Sequence, residues 1–69
     1  MTQCERVLQY MEDFGTINPL QAFADIGVLR LAARISDLKK DGHKISRKIV
    51  TGKNRYGDAV YFAEYELED

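Results

Sequence analysis

A chain of 69 residues, 45% of them hydrophobic, supports one small core, because domains this short bury only about 60% of the surface their unfolded chains expose. A deep catalytic cleft is excluded by that size, and a disulfide framework or a four-ligand zinc site by the single cysteine and single histidine. The formal net charge of −1 argues at face value against a polyanionic partner, but this average hides a strong segregation along the chain.

Thr2-Gln-Cys-Glu5 has the form of a capping box, with a hydroxyl at the N-cap and a carboxylate three residues on, so a first helix is expected from about Gln3. Cys4, Val7, Leu8 and Met11 recur at helical spacing and form its core stripe, and Gly15 after Phe14 stops it. On that stripe Cys4 is a small buried hydrophobe with no chemistry assigned to it. Thr16-Ile17 reads as a short extended piece. Asn18-Pro19-Leu20-Gln21 then supplies an N-cap, a proline at the first helical position and a capping glutamine. This second helix is expected to face Leu20, Phe23, Ala24 and Ile26 inward and to stop at Gly27, which tolerates the left-handed backbone of a tight turn over about residues 26–28.

A third helix is expected over about residues 29–41. Leu31, Ile35 and Leu38 share one side, to be buried against Leu8, Met11 and Phe23, while Arg30, Ala33, Asp37 and Lys40 point away. Lys39 and Lys40 suit its C-terminal dipole, and Gly42 ends it. Residues 44–51 are β-branched and basic, with Ile45 and Ile49 on one face and Lys48 on the other, which is a strand. Two glycines and an asparagine within residues 52–58 mark a polar hairpin loop. Residues 59–67 return as a strand whose odd positions, Tyr61, Ala63, Tyr65 and Leu67, turn inward against Glu64 and Glu66. Val60 and Phe62 break that alternation and are expected to cover the end of the core, with a self-association patch as the alternative.

Residues 1–29 carry Arg6 against Glu5, Glu12, Asp13 and Asp25, a net −3, and residues 57–69 carry five carboxylates and no cation. Residues 30–56 carry nine cations against Asp37 and Asp41, a net +7. A polyanion would meet this middle segment, which coincides with the third helix and the hairpin after it. Helix, turn, helix, hairpin is the layout of a nucleic-acid reader.

Pro19-Leu-Gln-Ala22, then Ile26-Gly27, then Arg30-Leu-Ala-Ala-Arg34-Ile, and Leu38-Lys-Lys-Asp-Gly42 with Ile45 resemble the winged helix-turn-helix domains, and more narrowly the small helix-turn-helix proteins of bacteriophages and prophages. The resemblance covers roughly residues 3–67. It implies an α+β fold of three helices with a C-terminal β-hairpin wing, one domain over residues 1–69, and a double-stranded DNA partner. In such a domain the second helix of the motif enters the major groove and the wing lies over backbone or an adjacent groove. Gly27 and Val28 match the turn glycine and the apolar residue after it, whereas Phe23 stands where a small residue is expected, with Ala22 and Ala24 on either side.

Physical reasons give each residue a role in that setting. A helix about 10 Å across fits a major groove about 12 Å wide. Arg30 is the best candidate to read a base, by a bidentate contact to guanine, and Ala33, Ser36 and Asp37 share the exposed arc. Asp37 can accept from a cytosine amine, or Ser36 and Asp37 can be plain solvated residues. Arg34, at the edge of the apolar stripe, fits a phosphate contact or a structural ion pair equally well. Lys40, Lys44 and Lys48 suit phosphate clamping, because a flexible point charge neutralises backbone better than it discriminates bases. Lys53, Asn54 and Arg55 suit a minor groove, whose narrow forms attract arginine. Tyr56 either stacks or braces the loop.

Enzymatic readings are thin. His43, the one histidine, follows a helix-ending glycine and reads as a turn residue rather than a general base, and the nucleotide-binding Gly-x-x-x-x-Gly-Lys-Ser/Thr pattern is absent. No cofactor and no membrane partner are expected. No apolar run nears the roughly 20 residues that cross a bilayer, and the N-terminus lacks the regions of a signal peptide, so a cytoplasmic location is expected. Sequence-specific binding of double-stranded DNA by a phage or prophage transcriptional regulator is the function expected. The alternative is a recombination directionality factor or a small protein-interaction module bound to a host or phage protein, such as an adaptor or modulator of a host protein. Self-association as a homodimer is compatible with either reading.

Overall fold

The computed structural model describes residues 1–68. Helix α1 spans Gln3–Phe14, strand β1 Thr16–Ile17, helix α2 Pro19–Ile26, helix α3 Leu31–Lys40, strand β2 Ile45–Lys53 and strand β3 Ala59–Leu67. The expected α+β order of three helices followed by a hairpin is therefore present, with the short extended piece incorporated as a third strand. The sheet order is β1-β3-β2, antiparallel throughout.

Local chemistry sets the helix ends. Thr2 Oγ1 accepts from the Glu5 amide at 3.1 Å and Glu5 Oε1 from the Thr2 amide at 2.9 Å, so both donors at the start of α1 are satisfied. Asn18 and Gln21 repeat the arrangement at α2, at 2.8 and 3.0 Å. Gly27 sits at φ 69°, ψ 28°, the left-handed conformation that turns the chain between α2 and α3. Immediately after it Val28 is fully buried, and its amide donates to the Ala22 carbonyl at 2.8 Å. At the end of α3 the His43 amide donates to the Leu38 carbonyl and the Gly42 amide to the Lys39 carbonyl, both at 3.1 Å. These two bonds are the paired closure of a Schellman motif.

Leu31, Ile35 and Leu38 are buried as the spacing requires, in one cluster with Met11, Val7 and Ile17, and Leu8 packs against it. Phe23 is not among them. On α2 the inward positions are Ala22, fully buried, and Ile26, whereas Leu20 is 70% exposed, Phe23 58%, and Ala24 also lies outside. An eight-residue helix with apolar residues at most positions fits two stripes one residue apart, and close approach of the neighbouring elements selects the one that brings the smallest side chain inward. Ala22 thus supplies the small residue that Phe23 could not.

Helix α3 starts at Leu31, two residues later than its apolar pattern suggests. Leu29 is 77% exposed and Arg30 is the N-cap with no side-chain hydrogen bond to the helix. The stretch between Gly27 and Leu31 is spent on the turn. In the hairpin, β2 runs on through Gly52 and Lys53, so the loop shortens to residues 54–58. Gly52 lies beneath Phe62, whose Cε1 would be 3.3 Å from an added Cβ, and the ring covers the backbone there.

The register pairs Ile45 with Leu67, Arg47 with Tyr65, Ile49 with Ala63 and Thr51 with Tyr61. Ile45 and Tyr65 enter the core, but Ile49 and Tyr61, farther along the same face, are 53% and 69% exposed. The alternation is right and the helices end before the strands do, which makes the molecule 39 Å long and about 20 Å across. Val60 and Phe62 do not cover the end of the core. They stand with Val50 on the opposite face of the hairpin, half-buried against one another across the two strands.

Candidate nucleic-acid interface

With Leu31, Ile35 and Leu38 turned into the core, α3 presents Ala32, Ser36, Lys39 and Lys40 outward, with Ala33 half-buried beside them. Leu29 and Arg30 extend this surface at the N-terminal end. Arg30 and Lys40 are exposed as their spacing implies. Arg34 and Asp37 lie on the flank of α3 that meets α1. Their side chains form an ion pair at 3.4 Å, Asp37 also accepts from Cys4 Sγ at 3.9 Å, and Arg34 Nε is buried without a hydrogen bond. Asp37 is therefore half-buried rather than pointing away from the protein. Its carboxylate faces a cation of its own helix and a thiol of α1.

The pleat of the hairpin sorts the remaining charges. Arg47 and Lys53 share their face with Tyr65 and Ile45, so they lie on the side of the sheet that carries the helices. Lys48 lies on the other face, opposite Glu64, with its Nζ 3.3 Å from Glu64 Oε1. Glu66 shares that face. Lys44 is exposed just before β2, and its carbonyl accepts from the Glu68 amide at 2.7 Å.

At the tip, Asn54 Oδ1 accepts from the amides of Tyr56 and Asp58 at 2.9 and 3.0 Å, and the Asn54 amide donates to the Asp58 carbonyl at 3.0 Å. The side-chain oxygen of Asn54 thus holds the loop in shape, an Asx-turn role. Arg55 and Tyr56 are the groups it presents, and Tyr56 is 86% exposed. Arg30, Lys39, Lys40, Arg47, Lys53 and Arg55 are all exposed and form no ion pair among the described residues.

Four contributors to this surface were missing from the sequence candidates, one of them Lys39, read in the sequence only as a partner of the helix dipole. Arg47 was readable in principle, because strand alternation puts it on the face of Ile45 and Ile49. Leu29 and Ala32 had no such signal, since an apolar residue next to a helix start reads as core. Two groups with displaced titration lie elsewhere. The backbone and side-chain hydrogen bonds to Thr2 hold the Glu5 carboxyl below the usual glutamate range, and the hydrogen bond from Tyr10 Oη to Asp25 Oδ2, at 2.5 Å, pushes the phenol up while tying α1 to α2.

Two helices joined at a left-handed glycine, the second with its outer arc open, and a basic hairpin on a three-stranded sheet define a helix-turn-helix domain with a wing. A family model described as a winged helix-turn-helix domain matches residues 2–69, and the chain belongs to that family. No curated protein and no solved structure matches the chain. No helix among the described residues is long and apolar enough to cross a membrane, and no group of three or more histidine, cysteine, aspartate or glutamate side chains among them is placed to hold a metal ion.

Proposed function

We propose that this protein binds double-stranded DNA sequence-specifically, with α3 in the major groove and the 52–58 segment of the wing on backbone or minor groove, and that it acts as a transcriptional regulator of the phage or prophage type. The observation that carries the reading is the set of cations Arg30, Lys39, Lys40, Arg47, Lys53 and Arg55, at the outer arc of α3 and on the helix side and tip of the wing, which form no ion pair among the described residues of a chain whose net charge is −1. Cations left without carboxylate partners among the described residues, in a chain whose acids slightly outnumber its cations, fit a surface that meets a polyanion.

Within this surface Arg30 reads a base, while Lys40, Lys44, Arg47 and Lys53 neutralise phosphates and Arg55 enters a groove from the wing tip. Lys48 contributes less, because Glu64 already answers its charge. Ala33 and Ser36 approach base edges. Arg34 and Asp37 are engaged with each other, and Asp37 with Cys4 of α1, so they contact DNA only at the margin, and Asn54 acts by shaping the tip. The regulatory role draws on the resemblance of residues 19–45 to small phage helix-turn-helix proteins.

The exposed Leu20 and Phe23 of α2 favour a second reading, contact with a protein partner or a second copy of the chain. Selection from a random duplex pool, followed by anisotropy titrations of the enriched duplex at several salt concentrations, separates the two. Salt-dependent binding to a short enriched site supports the DNA reading, and half-sites about 10 base pairs apart add a dimer. Absence of salt-dependent duplex binding at low ionic strength sinks it in favour of the protein-interaction module.

A further inference from the structure

An open depression of about 390 Å³ lies at the N-terminal end of α3, lined by Pro19, Leu29, Arg30, Leu31, Ala32, Ala33 and Tyr65. Its chemistry is unusual for a surface that should meet DNA. Leu29 projects into solvent, 77% exposed, and the residues next to it on the outer arc are two alanines. Apart from Arg30 no charged side chain lines the depression, and no carboxylate does. A leucine held out in water at this place has no role in the core, which Val28 and Leu31 on either side already enter.

Resting on the DNA-binding reading, we propose that this depression is a thymine-methyl reader: Leu29 and Ala32, with Ala33 beside them, receive the C5-methyl groups of thymines in the major groove, while Arg30 at its rim takes a neighbouring guanine or a phosphate. The occupant follows from the charges and from what each base shows. The depression carries a cation at its edge, and Lys39 and Lys40 stand exposed at the far end of the same helix, so a polyanion is the complementary partner. Among the groups that the major groove displays, the thymine methyl is the apolar one, and alanine and similar small apolar side chains are its usual contacts. Small side chains on the outer arc also let the helix backbone come close to the base edges. Hydrogen-bond readout near the depression then falls to Arg30 and Ser36, and at the methyl contacts the preference for thymine is set by shape and hydrophobic contact.

The test uses the whole chain and the duplex enriched from a random pool. Each thymine of that duplex is replaced in turn by deoxyuridine, which keeps base pairing and removes only the methyl group. At one or more adjacent thymines the replacement should weaken binding about fourfold, the fold-change equivalent to about 0.8 kcal/mol for one buried CH₂ group. The double variant Leu29→Ser, Ala32→Ser should bind the thymine and deoxyuridine duplexes equally while keeping the parent's melting temperature within a few degrees, because both side chains are exposed. Equal binding of every deoxyuridine duplex by the parent, with salt-dependent affinity intact, overturns the methyl reading and leaves DNA binding standing. A methyl effect that survives the double variant overturns its assignment to Leu29 and Ala32. If the parent binds no duplex in a salt-dependent way, the DNA-binding reading itself fails, an outcome distinct from the other two.

Discussion

Replacing Phe23 by alanine should cost this protein little, whereas enlarging Ala22 by three carbons should cost it much. Full burial of a phenylalanine is worth roughly 1.5–3 kcal/mol. Phe23 keeps 58% of its surface exposed, so its truncation forfeits under half of that, about 1 kcal/mol. Ala22 is fully buried, and its carbonyl receives the Val28 amide at the turn. Leucine there must displace α2 from its neighbours, and overpacking of this kind costs about 1–3 kcal/mol, occasionally more. Leu38→Ala, at a side chain 3% exposed, sets the scale for loss of a core residue, about 2–5 kcal/mol. Urea melts followed by circular dichroism would rank the three variants. A domain of this length is worth about 3–10 kcal/mol in all, and each kcal/mol moves its melting temperature by about 4–8 °C, so the differences are readily measured. A Phe23→Ala variant as unstable as Leu38→Ala, or an Ala22→Leu variant that melts with the parent, would refute the placement of α2.

Stability should fall as the pH drops below the ordinary glutamate value of 4.5, in part through Glu5. Its pKa is lowered in the folded state, so its contribution is present above the unfolded value and lost as pH falls through the folded one, and thermal melts of Glu5→Gln should show a weaker decline over that window. Asn54→Ala should leave the overall melt nearly unchanged but speed hydrogen exchange at the Tyr56 and Asp58 amides, which its side chain now holds. Gly27→Ala should destabilise by about 1–2 kcal/mol through backbone strain, because nothing lies within 4 Å of the added carbon and φ is +69°. Arg55→Ala should make the slope of log affinity against log salt shallower by about 0.9, while Lys48→Ala, which removes a cation already paired with Glu64, should change it less.

The parts of this fold that were legible in the sequence are those fixed by short-range chemistry. Both capping boxes, the stops at Gly15 and Gly27 and the stripe of Leu31, Ile35 and Leu38 rest on groups within a few residues of each other, and each stands where its pattern puts it. What was not legible depends on distant neighbours. Nothing in Leu20-Gln-Ala-Phe-Ala says which stripe meets the other helices, because that is settled by how closely they approach. The exposure of Ile49 and Tyr61 depends on where the helices end relative to the hairpin, a length that strand alternation does not contain. Among the candidate interface residues, exposure of Arg30 and Lys40 followed from helical spacing. The Arg34–Asp37 pair lies at (i, i+3) on one helix and was open to the same spacing argument, whereas the contact of Asp37 with Cys4 and the pairing of Lys48 with Glu64 were not, since they depend on helix packing and on cross-strand register.

The pleat also explains how a chain of net charge −1 offers cations to a polyanion. On β3 the apolar residues that build the core occupy odd positions, so Glu64 and Glu66 are forced onto the opposite face, where Lys48 meets the first of them. Arg47 and Lys53, on odd positions of β2, stay on the helix side without acidic cross-strand partners, opposite Tyr65 and Ala59. Three of the remaining acids, Glu5, Glu12 and Asp13, are on α1, which packs at the base of the hairpin, while Arg55 lies at its tip in a molecule 39 Å long. Charges are screened over about 8 Å at physiological ionic strength. A phosphate at the wing tip therefore feels Arg55 and Lys53 against the one carboxylate of the loop, Asp58, and hardly any of the α1 carboxylates, so the local arrangement governs attraction and the net charge does not. On the DNA-binding reading proposed above, the same argument gives an orientation, with the helix-and-wing side toward DNA and the face of Glu64 and Glu66 away from it.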